Sequence, residues 1–250
     1  MACVSNCKRL FGKKAAWDSL EETIDELVKI NEKLGVVGRL TRHDARNKLS
    51  VILNNTYLAK QALGKQQDST TYLQSIESAV EQMEKIFDFA KTYEMLGFEE
   101  LTEMNVEKIF NEAAALLSGT KKITLTNKCA GLTVLADSLL RQLFYNLIHN
   151  SLEHGERVNQ ICIRYVIDGK ELKIIYEDNG IGIPQEEKEK IFDEGYGQGT
   201  GYGLYFIKKI CEAYGWTIKE TGTPNKGVLF EMTIPRPHKQ GKNAYSFTTV

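Results

Sequence analysis

Between residues 17 and 34, Trp17, Leu20, Ile24, Leu27, Asn31 and Leu34 recur at alternating intervals of three and four, with Glu, Asp and Lys at most intervening positions. A narrow stripe of this kind is the a/d seam of a coiled coil. With Trp17 at an a position Asn31 also falls at a, where a polar side chain fixes register and dimer state at some cost in stability. The alternative is a single amphipathic helix packed on its own domain, and the strict heptad spacing favours the dimer. The pattern continues through Val36, Val37, Leu40, Leu49, Ile52, Leu53, Tyr57 and Leu58 and stops near Gly64. A polar stretch, 64–69, precedes a second run with Tyr72, Leu73, Ile76, Val80, Met83, Ile86, Phe87 and Ala90. The two runs predict a long antiparallel helical hairpin. Its apolar face is too wide for one layer to cover, so two copies are expected to pair as a four-helix bundle.

After a linker at 95–101 that contains Gly97, the period changes. The sequence predicts a helix over 106–117, short strands over 123–126 and 133–136, and a helix from 138 to about 154 with Asp137 as its N-cap. Alternating runs at 161–167 and 171–177 flank Asp168-Gly169, a strong hairpin signal. A helix over about 202–214 and strands over 216–220 and 228–234 follow. Helices on one side of a mixed sheet make an α/β sandwich, so the chain as a whole is α+β: a helical hairpin, then a sandwich. The expected division is a flexible N-terminal segment (1–16), coiled coil and hairpin (17–97), a nucleotide-binding domain (101–236) and a disordered tail (237–250), which is polar and without periodicity.

Composition narrows the function. A chain of 250 residues, 42% of them hydrophobic, can bury a core. Its 32 basic residues against 33 acidic ones leave no net basic field, which argues against nucleic acid as a partner. The five cysteines, Cys3, Cys7, Cys129, Cys162 and Cys211, are an odd number at irregular spacing and fit free thiols in a reducing compartment. Cys3 and Cys7 have no neighbouring His or further Cys to complete a metal site. No stretch of about 18 apolar residues suggests a membrane span, and residues 1–14 lack the apolar core of a secretory signal. The expectation is a cytoplasmic protein, either as such or as the cytoplasmic part of a longer receptor.

Two glycine-rich segments carry the chemistry: Asp178-Asn179-Gly180-Ile181-Gly182-Ile183-Pro184 and Gly199-Thr200-Gly201-Tyr202-Gly203-Leu204, both downstream of a helix with Asn146 and Asn150. Backbone N–H groups can approach phosphate oxygens closely where no Cβ intervenes, so the segments read together as a nucleotide site. Asn146 and Asn150 are four apart, share one helix face, and can offer oxygen ligands to a magnesium ion shared with the phosphates. Taken alone the pair reads equally well as two surface amides; His149 lies beside them. Asp178 ends an Ile- and Tyr-rich strand, where its carboxylate can accept a hydrogen bond from an exocyclic amine of a purine; the bland reading is a plain Asn-Gly turn. Gly199, Gly201 and Gly203 open a helix whose N-terminus would face anionic phosphate. Residues 193–198, with Gly195 and Gly197, read as a mobile lid or as a loop without a ligand.

The order Asn146…Asn150, Asp178-x-Gly180-x-Gly182, Phe192, Gly199-x-Gly201-x-Gly203 resembles the N, first-glycine, F and second-glycine boxes of the ATP-binding domain of sensor histidine kinases. That is the Bergerat fold shared with DNA gyrase, Hsp90 and MutL, and the resemblance covers roughly residues 101–236. Upstream, Thr41-Arg42-His43-Asp44-Ala45-Arg46-Asn47-Lys48-Leu49 resembles the H box of the same family. The resemblance implies a homodimeric kinase in which His43 Nε2 attacks the γ-phosphate of Mg-ATP and Asp44 accepts a hydrogen bond from Nδ1–H. Asn47 would position a water for dephosphorylating the partner. The phosphoryl group would pass to an aspartate of a response regulator in trans, docked near Arg42 and Arg46. The nucleotide would be held by Asn146, Asn150, Asp178, Gly180, Gly182, Gly199, Gly201, Gly203 and Leu204, the two asparagines also holding the metal. Other readings are a catalytically weak module that binds nucleotide and a regulator, and an ATPase or serine kinase of the same fold. Three positions depart from the family pattern: Lys48 replaces a helix-bending Pro, which predicts a straighter helix, Tyr202 replaces Leu, and Glu153 replaces a basic residue. Lys188, Lys190 or Arg141 are the substitute cations available.

Overall fold

The computed structural model describes residues 20–117 apart from 22, 25–26, 29, 32–33, 36, 39 and 66, together with 123–169, 171–197, 201–235 and 245–247. The chain divides into two compact units, Met1–Glu94 and Met95–Val250. Trp17, the first residue of the expected seam, lies outside the described residues.

In the first unit the described residues between 20 and 38 are helical. A five-residue π-helix, Leu40–Asp44, leads into α1 (Ala45–Gly64), and α2 (Thr70–Glu94) returns alongside it. The reversal is fixed locally: the Asp68 carboxylate accepts from Thr70 N–H at 2.9 Å and from the Thr70 hydroxyl at 2.5 Å, which holds its carboxyl below the usual range. The buried residues of the hairpin are Ala45, Ala59 and Ala62 on α1 and Ala79, Ile86, Phe89, Ala90 and Tyr93 on α2. Leu53, Tyr57, Leu63, Leu73 and Phe87 stay exposed in the single chain. Lys48 lies in the uninterrupted α1, while upstream of it the turn that carries His43 is π-helical, wound more loosely than an α-helix without any proline.

The second unit contains β1 (Thr102–Asn105), α3 (Val106–Ala115), β2 (Thr124–Lys128), β3 (Leu132–Ala136), α4 (Leu139–His154), β4 (Gln160–Asp168), β5 (Glu171–Asp178), a 3₁₀ turn (Lys190–Phe192), α5 (Gly203–Ala213), β6 (Thr217–Glu220), β7 (Leu229–Pro235) and β8 (Tyr245–Phe247). Five strands form a mixed sheet in the order β2-β4-β5-β7-β6, in which only β2 and β4 run parallel. Period-two alternation decides the inward face: Ile161 and Ile163 of β4, Leu172, Ile174 and Tyr176 of β5, and Phe230, Met232 and Ile234 of β7 are buried. Three helices pack in sequence, α3 on α4 and α4 on α5, with Phe110 meeting Phe144 edge to face at 5.6 Å. The α/β sandwich read from the sequence is therefore the architecture observed.

Three expectations need correction. The N-cap of α4 is Ser138, not Asp137, although the Asp137 carboxylate still accepts from Leu139 N–H at 2.9 Å. No strand was expected directly after the linker, yet β1 follows residue 101 and pairs with β3 in a second sheet of order β1-β3-β8. The tail beyond Pro235 is not wholly disordered: Tyr245–Phe247 forms β8, paired antiparallel with β3 and with Tyr245 buried. A three-residue strand has too few positions to show a period, so only its tertiary partner reveals it.

Candidate nucleotide site and phosphoacceptor turn

Helix α4 is amphipathic, with Leu140, Leu143, Leu147 and Ile148 fully buried. That rotation leaves Asn146 and Asn150 half-buried on one face. Asn146 Oδ1 accepts from Gln142 Nε2 at 3.2 Å and keeps a second lone pair. The Asn150 amide lies against the head of α5, where a Cβ added at Gly203 would come to 3.4 Å from Asn150 Oδ1. The first asparagine box and the second glycine segment thus meet. Leu204 is half-buried in the first turn of α5, Tyr202 is buried before it, and Gly201, at φ +70, presses on the Gly195 backbone. Gly199 and the expected lid residue Gln198 fall outside the described residues.

Asp178, only 9% exposed, ends β5 under the first glycine segment. Its Oδ1 accepts from Gly180 N–H at 2.9 Å and Val228 N–H at 3.1 Å, and its Oδ2 from the Ser151 hydroxyl at 2.5 Å. Ser151 Oγ lies 2.8 Å from the Tyr176 hydroxyl, which also reaches the Leu147 carbonyl at 3.2 Å. Burial pushes the Tyr176 phenol well up, so it remains a donor at any physiological pH. The carboxylate is oriented by three donors and keeps acceptor capacity for a fourth. Gly180 lies over the Gly155 carbonyl, and Gly182, at φ +71, faces the carbonyls of Thr223 and Gly227. Phe192 is buried with its ring edge on Phe230 at 6.1 Å.

Sequence reasoning missed Gly227, Val228, Ser151 and Tyr176 as partners of Asp178. The first two lie in a loop whose signal was present, Asn225-Lys226-Gly227, with positive φ at Asn225 and Gly227. The other two are a serine and a tyrosine in ordinary periodic runs, and nothing local distinguishes them. Lys188 is not a spare cation either: it is buried and pairs with Glu220 at 2.8 Å, so of the three substitutes only Lys190 and Arg141 are exposed.

In the first unit His43 is 73% exposed, and its Nδ1 lies 2.7 Å from Asp44 Oδ1, with Asp44 27% exposed. Asn47 Nδ2 approaches the same Nδ1 at 3.4 Å. Both nitrogens are donors when Nδ1 is protonated, so the shorter contact to the carboxylate prevails and leaves the Nε2 lone pair directed away from Asp44. Among the described residues no group of three or more His, Cys, Asp and Glu side chains is placed to hold a metal, and no helix is long and apolar enough to cross a membrane.

Residues 136–238 match the family described as histidine kinase-, DNA gyrase B-, and HSP90-like ATPase, and the second unit accordingly carries an ATP-binding domain of this class. Over 245 residues the chain is 26% identical to the signal transduction histidine-protein kinase ArlS of Staphylococcus aureus, spanning 86% of this chain and 52% of ArlS. It is 28% identical to histidine kinase P4 of Formosa agariphila over 65% of this chain and 13% of that protein. The crystal structure of histidine kinase ThkA in complex with response regulator protein TrrA shares the fold at a TM-score of 0.64, with 23% identity, covering 85% of this chain and 66% of that one. The chain is thus similar to histidine kinases, with the family match confined to its second unit. It spans between 13% and 52% of the length of the two curated relatives.

Proposed function

We propose that this chain is an ATP-dependent protein-histidine kinase that phosphorylates itself on His43 and passes the phosphoryl group to an aspartate of a response regulator. The observation that carries this reading is the 2.7 Å contact between His43 Nδ1 and Asp44 on an exposed turn of the hairpin. Asp44 accepts the Nδ1–H bond, so the neutral ring presents its Nε2 lone pair to the γ-phosphorus. The Nε2–P bond forms as the bond between γ-phosphorus and the β,γ-bridging oxygen breaks, and ADP leaves with that electron pair. The ring gains positive charge during attack, and the adjacent carboxylate stabilises it. In the phosphoramidate so formed the phosphoryl group is readily transferred to a carboxylate, which the receiver domain supplies in trans. Asn47, one turn on, orients a water in the reverse, dephosphorylating direction.

On the nucleotide side, Asp178 accepts from the exocyclic amine of adenine, and Gly180 and Gly182 let the backbone pass close to the base. Gly201, Gly203 and Leu204, at the head of α5, face the phosphates, and Gly199 belongs to the same glycine-rich segment of the sequence. Asn146 and Asn150 offer amide oxygens without a carboxylate cluster beside them, a set that suits a magnesium ion held mainly by phosphates and waters. When bound, that ion supplies charge neutralisation on the phosphates. Two chains pair through the helical unit, consistent with its exposed apolar seam. The exposure of Glu153 and the pairing of Lys188 leave few cations near the phosphates, which favours as a second reading a catalytically weak module that binds nucleotide and a regulator. Incubation with Mg-ATP distinguishes the two: acid-labile, alkali-stable phosphate on the wild type that disappears in His43→Gln is expected. Label that survives in His43→Gln rules out this acceptor, and ATP binding without label supports the second reading.

A further inference from the structure

A buried ion pair, Lys188 with Glu220, makes its backbone hydrogen bonds at the two roots of one loop. Lys188 Nζ lies 2.8 Å from Glu220 Oε2, an oxygen without another hydrogen-bond donor, and donates to the Gly222 carbonyl. Glu220 Oε1 accepts from Gly222 N–H at 2.9 Å and Leu229 N–H at 3.0 Å. The pair therefore ties together both roots of the loop 221–228. The tip of that loop is held as well, by Asn225 N–H on the Ile181 carbonyl at 2.6 Å and by Arg157 Nη2 on the Asn225 carbonyl at 2.5 Å. Its last turn brings Gly227 onto the Asp178 backbone and donates Val228 N–H to Asp178 Oδ1. Only two of the three donors that orient the Asp178 carboxylate come from elsewhere, from Gly180 and Ser151.

We propose that Lys188 and Glu220 are positioning residues for purine recognition: the pair fastens the 221–228 loop and through Val228 N–H aims Asp178 at the exocyclic amine of the base. This rests on the reading of Asp178 given above. Core stability alone does not account for the pair, since well-packed apolar residues replace a buried ion pair at little or no cost. What an apolar pair cannot do is hold Gly222 and Leu229 by directed bonds.

The test measures binding of Mg-ATP and Mg-ITP by titration calorimetry, because inosine carries an oxygen where adenine carries the amine. Wild type is expected to prefer ATP by about tenfold, the worth of one hydrogen bond to a charged group. Lys188→Met, and the charge-neutral double variant Lys188→Met with Glu220→Leu, are expected to lose most of that preference while ITP affinity stays near the wild-type value. Should Lys188→Met alone fail to fold, the double variant, which leaves no unpaired buried charge, carries the measurement. A folded variant that keeps the full preference, whatever its melting temperature, overturns the positioning role. Wild type that binds both nucleotides alike, with Asp178→Asn unchanged, instead overturns the reading of Asp178 itself.

Discussion

Gly227 illustrates how one missing side chain decides local structure. Its φ is +96, and an added Cβ would come to 1.9 Å from the Asp178 carbonyl oxygen. Neither the backbone nor that carbonyl can yield without moving the carboxylate, so Gly227→Ala is expected to cost about 2–4 kcal/mol and to abolish ATP binding. Urea unfolding and nucleotide titration check both, and an unchanged midpoint would show that the loop gives way. At Cys129, burial pushes the thiol up from its ordinary 9.0 to about 12. The unfolded state then releases its proton first as pH rises, so the thiol's contribution to stability is complete below pH 9 and is lost between 9 and about 12. Cys211 is shifted in the same direction by burial. Unfolding measured from pH 8 to 11 should show stability falling, with a shallower fall in Cys129→Ala. Asp178 and the two asparagines were singled out from their spacing, and of the donors to Asp178 only Ser151 leaves no local trace, since Gly180 lies in the same glycine segment and Val228 follows a visible turn.

Helices and strands were read well where their periodic runs were long. Helix α4 was visible from its apolar stripe, but its start depends on a residue 39 positions earlier. Glu99 accepts from Ser138 N–H at 3.1 Å and from the Ser138 hydroxyl at 2.9 Å, tying the segment after α2 to the head of the helix that carries Asn146 and Asn150. Removing this cap in Glu99→Ala should destabilise the first turn of α4 by about 1 kcal/mol, seen as roughly fivefold faster hydrogen exchange there. Equal exchange in both proteins would mean that Asp137 alone suffices. The π-helical turn at His43 was not legible, because its residues have no composition that separates them from the α-helix that follows.

For the molecule as a whole, the described seam residues Leu20, Ile24, Leu27 and Leu34 are between 49% and 64% exposed in the single chain. A heptad stripe left in water is unfavourable, and a second copy is the partner that its narrow geometry fits. Sedimentation equilibrium is expected to find a dimer, and Ile24→Asp with Leu27→Asp to give monomer with an intact ATP-binding unit. A wild-type monomer at micromolar concentration would reject the pairing.

The sequence by itself determined the division into a helical hairpin and an α/β sandwich and most of the elements of each, because these rest on period and turn chemistry along the chain. Tertiary structure alone decided the second sheet and the loop held behind Asp178. Those depend on contacts between residues far apart in the chain, and a linear pattern carries no distance between them.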